Sequence, residues 1–369
     1  MKVLAQVGNL GGSIIDHLMR PLAQAENAEK VLLICHRPGP EIPKLEYHCP
    51  PKFTSRFAPA AIVYEFFTLL YLSIFKRPSC ILGCRLFPHG LLSFIVAKLS
   101  RRPLFVFLIG GPAELYGIGD RRQVEFTKPL PWLGRIFLKM LKQSNAIITT
   151  GSFTKDFLIR QGVERDKIYP IINPPNDSRV HPMEVPKIYD VVSVGRLSPE
   201  KHIEVLLNAA SRVRERFRDI KVCIVGDGPC RIELEKLADE LGLNDNIDFV
   251  GYQKDVAYYY NSSKIFVHTS EREGFPNVFL EAMICGIPSV VSNCGDITDI
   301  ARDGFNSIVV QRYNDYEGFA EAITRLLGDK EFYHKLSQNA LNTTTSLSVE
   351  EVAGKWELIL GKIASQSLK

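Results

Sequence analysis

Short apolar runs recur along this chain, and each is followed by a turn and then by a longer stretch with helical spacing. Runs that are apolar on both faces and alternate with helices are what a parallel sheet covered on both sides requires. In the first half the expected strands are Val3–Val7, Val31–Cys35, Cys80–Cys84, Leu104–Ile109 and Ala146–Thr150. In the second half they are Asp190–Val194, Lys221–Val225, Ile247–Val250, Ile265–His268, Ser289–Ser292 and Ser307–Val310. A chain of 369 residues with 46% hydrophobic content is too long for one typical core, so two doubly wound domains are expected. The Pro-rich, polar segment from Asn173 to Pro186 reads as the linker, because it has no period and lies where the charge balance changes sign. Residues 1–180 hold 24 Lys and Arg against 13 Asp and Glu, and the remainder hold 21 against 28. Ligands of open parallel sheets bind beyond the carboxyl ends of the strands, which directs attention to a cleft between the two domains.

The basic first half suits an anionic membrane surface or a phosphorylated acceptor. Its positive residues are scattered and lack a nucleic-acid motif, so nucleic acid is not an expected partner. The eight cysteines stand singly, with no Cys-x-x-Cys pair or Cys/His cluster at metal-ligand spacing, and read as reduced thiols; no metal is expected. The amino terminus lacks the pattern of a signal peptide, which suggests a cytoplasmic protein. Sequons at Asn176, Asn261 and Asn342 would matter only in a secretory compartment. Ala60–Phe75 is nearly continuously apolar but too short and polar for a confident span, and reads as a helix packed on the sheet or one dipping into a membrane. Trp132–Lys142 mixes Trp132, Ile136 and Phe137 with Arg135, Lys139 and Lys142, as an interfacial helix or an ordinary covering helix would.

The second half holds the residues that suggest chemistry. Gly195 and Arg196 follow one strand and Lys201 lies five residues on, so two cations can clasp one diphosphate; cations on a solvated turn are the alternative. Gly226-Asp227-Gly228-Pro229 closes the next strand, a tight turn that needs glycine with or without a ligand. Glu273 and Glu281 flank Gly274-Phe275-Pro276-Asn277, where backbone amides at a helix start form an anion site. Glu281 sits among Val278, Phe279, Leu280, Ala282, Met283 and Ile284, so it either faces a cation or polar ligand or lies on one solvated face. Carboxylates for hydroxyls, with cations and amides for phosphates, describe a site for a nucleotide sugar.

The series Val194-Gly195-Arg196-Leu197 with Lys201, then Gly226-Asp227-Gly228-Pro229, Phe249-Val250-Gly251, Glu273 and Glu281-Ala282-Met283, and Gly286-Ile287-Pro288, resembles the retaining glycosyltransferases of family four. That resemblance implies the GT-B architecture, two Rossmann-like α/β domains facing each other across a cleft. It divides the chain into an acceptor-binding domain (1–177), a nucleotide-sugar domain (178–347) and a final helical segment (348–369) crossing back to the first. The implied activity moves a hexose or N-acetylhexosamine, with retention, from a UDP- or GDP-linked donor to a glycan or lipid-linked acceptor. Such chemistry serves cell-surface polysaccharide or glycolipid synthesis, without a required cofactor or metal, in the cytoplasm or peripherally at the inner membrane face. Arg196 and Lys201 would hold the diphosphate, and Glu273 with Gly274, Phe275, Pro276 and Asn277 the donor sugar and phosphates. Glu281 would take the ribose, Gly251 and Tyr252 the base, and closure of the domains over the donor is expected. In the first half Gly11 and Gly12 match the family's donor-facing glycine loop. His89, Gly110 and Gly111 are candidate sugar or acceptor contacts, because Ile109 stands where a His is frequent and Pro112 where an Asp is common. A nucleotide-sugar epimerase or hydrolase, or a silent nucleotide-sugar or membrane-surface binding module, are the competing readings.

Overall fold

The computed structural model describes residues 1–51, 58–116, 131–174 and 180–366. Asn176, the middle of the expected linker and the 177/178 boundary lie outside them. The chain divides into two compact units, Met1–Pro174 with Ser348–Lys369, and Pro175–Leu347.

The first unit is a seven-stranded sheet, all pairs parallel: β1 (Lys2–Gly8), β2 (Lys30–Cys35), β3 (Leu45–His48), β4 (Cys80–Cys84), β5 (Leu104–Leu108), β6 (Ala146–Thr149) and β7 (Ile168–Pro170), in the order β3-β2-β1-β4-β5-β6-β7. Its covering helices are α1 (Gly12–Gln24), α2 (Ala58–Phe75), α3 (Leu91–Ser100), α4 (Pro131–Lys142) and α5 (Ser152–Arg160). Alternation along the strands explains the unbroken apolar runs. Val3, Ala5, Leu33, Leu82 and Phe105 enter the core beneath α1, whereas Leu4, Ile34, Ile81, Val106 and Ile147 enter the core beneath α2 to α4. The sequence patterning missed both edge strands. All four residues of β3 are half-buried, so no apolar run marks it, and β7 ends at Pro170, which an edge strand tolerates.

The second unit is a six-stranded parallel sheet: β8 (Tyr189–Val194), β9 (Val222–Val225), β10 (Ile247–Gly251), β11 (Ser263–His268), β12 (Ser289–Ser292) and β13 (Ser307–Val310), in the order β10-β9-β8-β11-β12-β13. It is covered by α6 (Ile203–Arg214), α7 (Arg231–Glu240), α8 (Ala257–Asn261), α9 (Asn277–Ile284), α10 (Tyr316–Gly328) and α11 (Lys330–Thr344). Asp315 and Asp329 start the last two helices by accepting from the amides of Gly318 (3.0 Å) and Phe332 (2.9 Å). The final helix, α12 (Val349–Gln366), packs in the first unit against α1, with Trp356 1% exposed and its ring edge-on to Phe107.

Strand order reverses between β1 and β4 in one sheet and between β8 and β11 in the other. Loops leaving those strands diverge to opposite faces, which opens a crevice at the carboxyl edge of each sheet. Among the described residues no helix is long and apolar enough to cross a membrane.

Candidate functional site

The loops leaving β8 and β11 meet at the reversal point of the second sheet. Lys201, near the end of the β8 loop, donates from Nζ to Glu273 Oε1. His268, the last residue of β11 and 4% exposed, places Nε2 3.3 Å from the same oxygen, and Ser270 donates to it from Oγ at 3.2 Å. Burial alone would raise the Glu273 carboxyl, but the Lys201 charge and His268 outweigh it and hold it down to about 2. An ionised carboxylate only accepts, so the contact is a hydrogen bond in the tautomer that carries its hydrogen on Nε2, the nitrogen that also lies 3.0 Å from Ser270 Oγ. Its Nδ1 is then bare, buried and without a hydrogen-bond partner among the described residues. Burial lowers the pKa of His268 despite Glu273, consistent with a neutral imidazole. The sequence analysis missed His268, whose only signal was a polar residue closing an apolar run.

Hydrogen bonds to backbone carbonyls knit this edge together. Thr269 Oγ1 donates to Lys201 O at 2.8 Å, Glu271 N to Glu200 O at 3.0 Å, and Ser292 Oγ to Ser270 O at 2.6 Å. Asp296 N donates to Gly274 O at 2.8 Å, and Gly295 (φ +55°) lies so close that a Cβ there would sit 2.2 Å from Glu273 O. Gly274, Phe275 and Pro276 lead into α9, which Asn277 begins.

Glu281, in the second turn of α9, is 4% exposed and accepts from Tyr260 Oη at 2.9 Å. Five other residues of that helix, Phe279 to Ile284, are buried with it, so the solvated-face reading does not hold.

Gly195 has open space where a Cβ would lie, and Arg196 beside it is half-buried. Gly226 is different. Its φ is +143°, and a Cβ would lie 1.7 Å from Gly195 O, while a Cβ on Gly228 would lie 2.2 Å from Leu197 O. Both glycines are therefore required by close packing of the β8 and β9 loops, whatever binds nearby. Gly226 N donates to Gly251 O at 2.8 Å, and Tyr252 beyond Gly251 is 78% exposed.

In the first unit Gly11 caps α1 and, with Gly12, is exposed. His89, a candidate sugar or acceptor contact from the sequence, is buried. It is 2% exposed, its ring fills the place of a side chain on Gly8 (φ +63°), and its Nε2 lies 3.3 Å from Glu65 Oε2. The Gly110 amide is likewise engaged, donating to Glu114 Oε1 at 2.5 Å while Leu86 N donates to Oε2 at 2.8 Å. Burial raises the Glu114 carboxyl against the pull of those amides. Gly111 is buried at φ +65°. Two residues went unread from sequence: Glu65, 0% exposed inside α2, and His36, whose Nε2 lies 2.9 Å from Glu65 Oε1. A lone carboxylate in an apolar helix was the available signal, the same one that marked Glu281.

Residues 179–343 match the family described as glycosyl transferases group 1. An alpha-D-kanosaminyltransferase of Streptomyces kanamyceticus is 33% identical over 152 residues, 41% of this chain and 39% of that protein. The lipopolysaccharide core biosynthesis glycosyltransferase LpsE of Rhizobium meliloti is 31% identical over 153 residues, 42% and 44% respectively. The chain thus spans less than half the length of these curated relatives. The crystal structure of Anabaena HepE in complex with UDP-glucose superposes with a TM-score of 0.76 at 18% identity, over 98% of this chain and all of that one. A likeness of that extent shows the GT-B fold, and within it residues 179–343 are the segment that matches the group 1 glycosyl transferases.

Proposed function

We propose that this chain is a retaining glycosyltransferase of family four, moving a hexose or N-acetylhexosamine from a nucleotide sugar to a glycan or lipid-linked acceptor. The observation that supports this most is the cluster of Lys201, His268, Ser270 and Glu273 at the reversal point of the second sheet, inside the matched segment. An ammonium has three donors, and only one is spent on Glu273, so Lys201 can meet a diphosphate without leaving its partner. With Arg196 it stabilises the charge that grows as the bond from the anomeric carbon to the diphosphate oxygen breaks and the electron pair stays with the diphosphate. The acceptor oxygen then bonds that carbon on the face just vacated and passes its proton to a diphosphate oxygen. Glu273, kept ionised, grips donor hydroxyls, Glu281 the ribose, and exposed Tyr252 offers a ring to the base.

A lipid-linked acceptor is favoured by the surface of α2 to α4. Phe67, Tyr71 and Phe75 form an exposed stripe on α2, Leu99 and Trp132 extend exposed apolar surface onto α3 and α4, and Lys76 and Arg77 just after α2, Lys98 on α3, and Arg135 and Lys139 on α4 are exposed. Apolar rings flanked by cations fit an anionic membrane surface. Sedimentation with phosphatidylglycerol vesicles tests this: salt-sensitive binding is expected, and no binding at low salt removes it.

HepE in complex with UDP-glucose makes a UDP-hexose the first donor to try. A panel of UDP- and GDP-sugars is scored by thermal shift, and the best donor is incubated with lipid-linked and glycan acceptors. An α-linked product from an α-linked donor supports the reading; an inverted product, or an epimerised donor without transfer, defeats it.

A further inference from the structure

We propose that His36, Glu65 and His89 form a binding site for a divalent transition-metal ion of the zinc class, in the first unit. The three are far apart in sequence, and topology brings them together: His36 follows β2, Glu65 lies midway along α2, and His89 follows β4. The carboxylate addresses both rings, with His36 Nε2 2.9 Å from Oε1 and His89 Nε2 3.3 Å from Oε2, and the three donor atoms lie within 4.8 Å of one another. Nitrogen and oxygen ligands bound tetrahedrally at ~2.0–2.1 Å lie about 3.3 Å apart, so little movement is needed to admit an ion.

A simple hydrogen-bonded pair accounts poorly for the His36 side. Nε2 and Oε1 approach to 2.9 Å, yet neither atom has a hydrogen-bond partner among the described residues, and both are buried. Close approach without hydrogen-bond direction is what two ligands of one ion present to each other. Glu65 is 0% exposed, and its side chain is held in place. An outer layer orients it: Gln6 Nε2 donates to Glu65 Oε2 at 3.2 Å, and Ser93 Oγ donates to Gln6 Oε1 at 3.2 Å. Gly8 leaves room for the His89 ring, since a Cβ there would fall 2.0 Å from Cε1. Two neutral imidazoles and one carboxylate suit zinc, cobalt or ferrous iron better than magnesium or calcium, which prefer oxygen ligands.

The test uses the full chain, stripped with chelator and titrated with cobalt(II) alone, read by visible absorption and by metal analysis after gel filtration. One equivalent with the bands of a low-coordinate ion is expected. His36→Asn removes the most accessible ligand, so it spares the interior, and should weaken uptake about a hundredfold or more while circular dichroism and the melting profile of the stripped protein stay unchanged. Gln6→Leu should weaken it roughly tenfold, as for loss of an outer partner. No uptake by the wild type overturns the proposal, and so does uptake unaltered in both His36→Asn and Glu65→Gln. The readout does not involve sugar transfer, so its outcome is independent of the proposed reaction.

Discussion

Lys201 sets the state of Glu273, because the ammonium is the largest influence holding the carboxyl down against burial. On the proposed reaction, removing the cation withdraws a transition-state donor, and it also leaves a buried carboxylate less well balanced. Lys201→Ala and Arg196→Ala are each expected to lower the transfer rate by about a hundredfold, the usual consequence of losing one such donor. Steady-state kinetics with saturating donor would check this, and near-normal kcat in both variants would remove the assignment. The pair also predicts an acid limb in stability. Since the folded pKa lies below the ordinary value of 4.5, Glu273 stabilises the native state fully above that pH, and the contribution disappears as pH falls from 4.5 towards about 2. Its size is on the order of 3 kcal/mol at 1.36 kcal/mol per pKa unit. Urea midpoints measured from pH 6 to pH 3 should fall less steeply for Glu273→Gln than for wild type; parallel curves would contradict the pairing.

At the scale of elements, the carboxyl edge of the second sheet is a set of loops held to one another by backbone contacts. Gly226 shows how tightly: the oxygen of Gly195 occupies the space a Cβ would need. Gly226→Ala should therefore push the β8 and β9 loops apart and destabilise the protein by on the order of 3 kcal/mol, visible as a lower denaturation midpoint, even if no ligand touches that residue. The wild-type midpoint in that variant would show that the turn has slack. The same contrast explains what could be read from the sequence. Interior strands such as β4 and β5 were plain, because both faces are buried and the apolar run is continuous. The edge strands β3 and β7 were not, because half-burial and a terminal proline erase that signal. Lys201, Glu273 and Glu281 were legible through motif spacing within one unit. Glu65, His36 and His89 come from separate elements, and only the strand order β2-β1-β4 brings them to one place. His268 gave no pattern at all, since one histidine at a strand end looks like any other polar stop.

For the whole molecule the notable fact is that the first unit is built from two stretches of chain, with the second unit inserted between them. Helix α12 lies beside α1, where Val352, Trp356, Ile359 and Leu360 join the core that also holds Val3, Leu33 and Phe105. Glu357 adds an anchor by accepting from the Glu26 amide at 2.9 Å. These four residues of α12 are thus part of the first unit's interior, so damage to them should register there and not in the second unit. Trp356→Ala removes a side chain that is 1% exposed, and an aromatic-to-alanine change at such a site costs about 3–5 kcal/mol. In calorimetry this should lower one melting transition and leave a second, belonging to residues 175–347, at its wild-type temperature. Adding the preferred nucleotide sugar provides the assignment, because a donor held by Lys201, Glu273 and Glu281 should raise the unshifted transition. If Trp356→Ala lowered the donor-responsive transition as well, α12 would be stabilising both units, and the division of the fold into separately supported cores would fail.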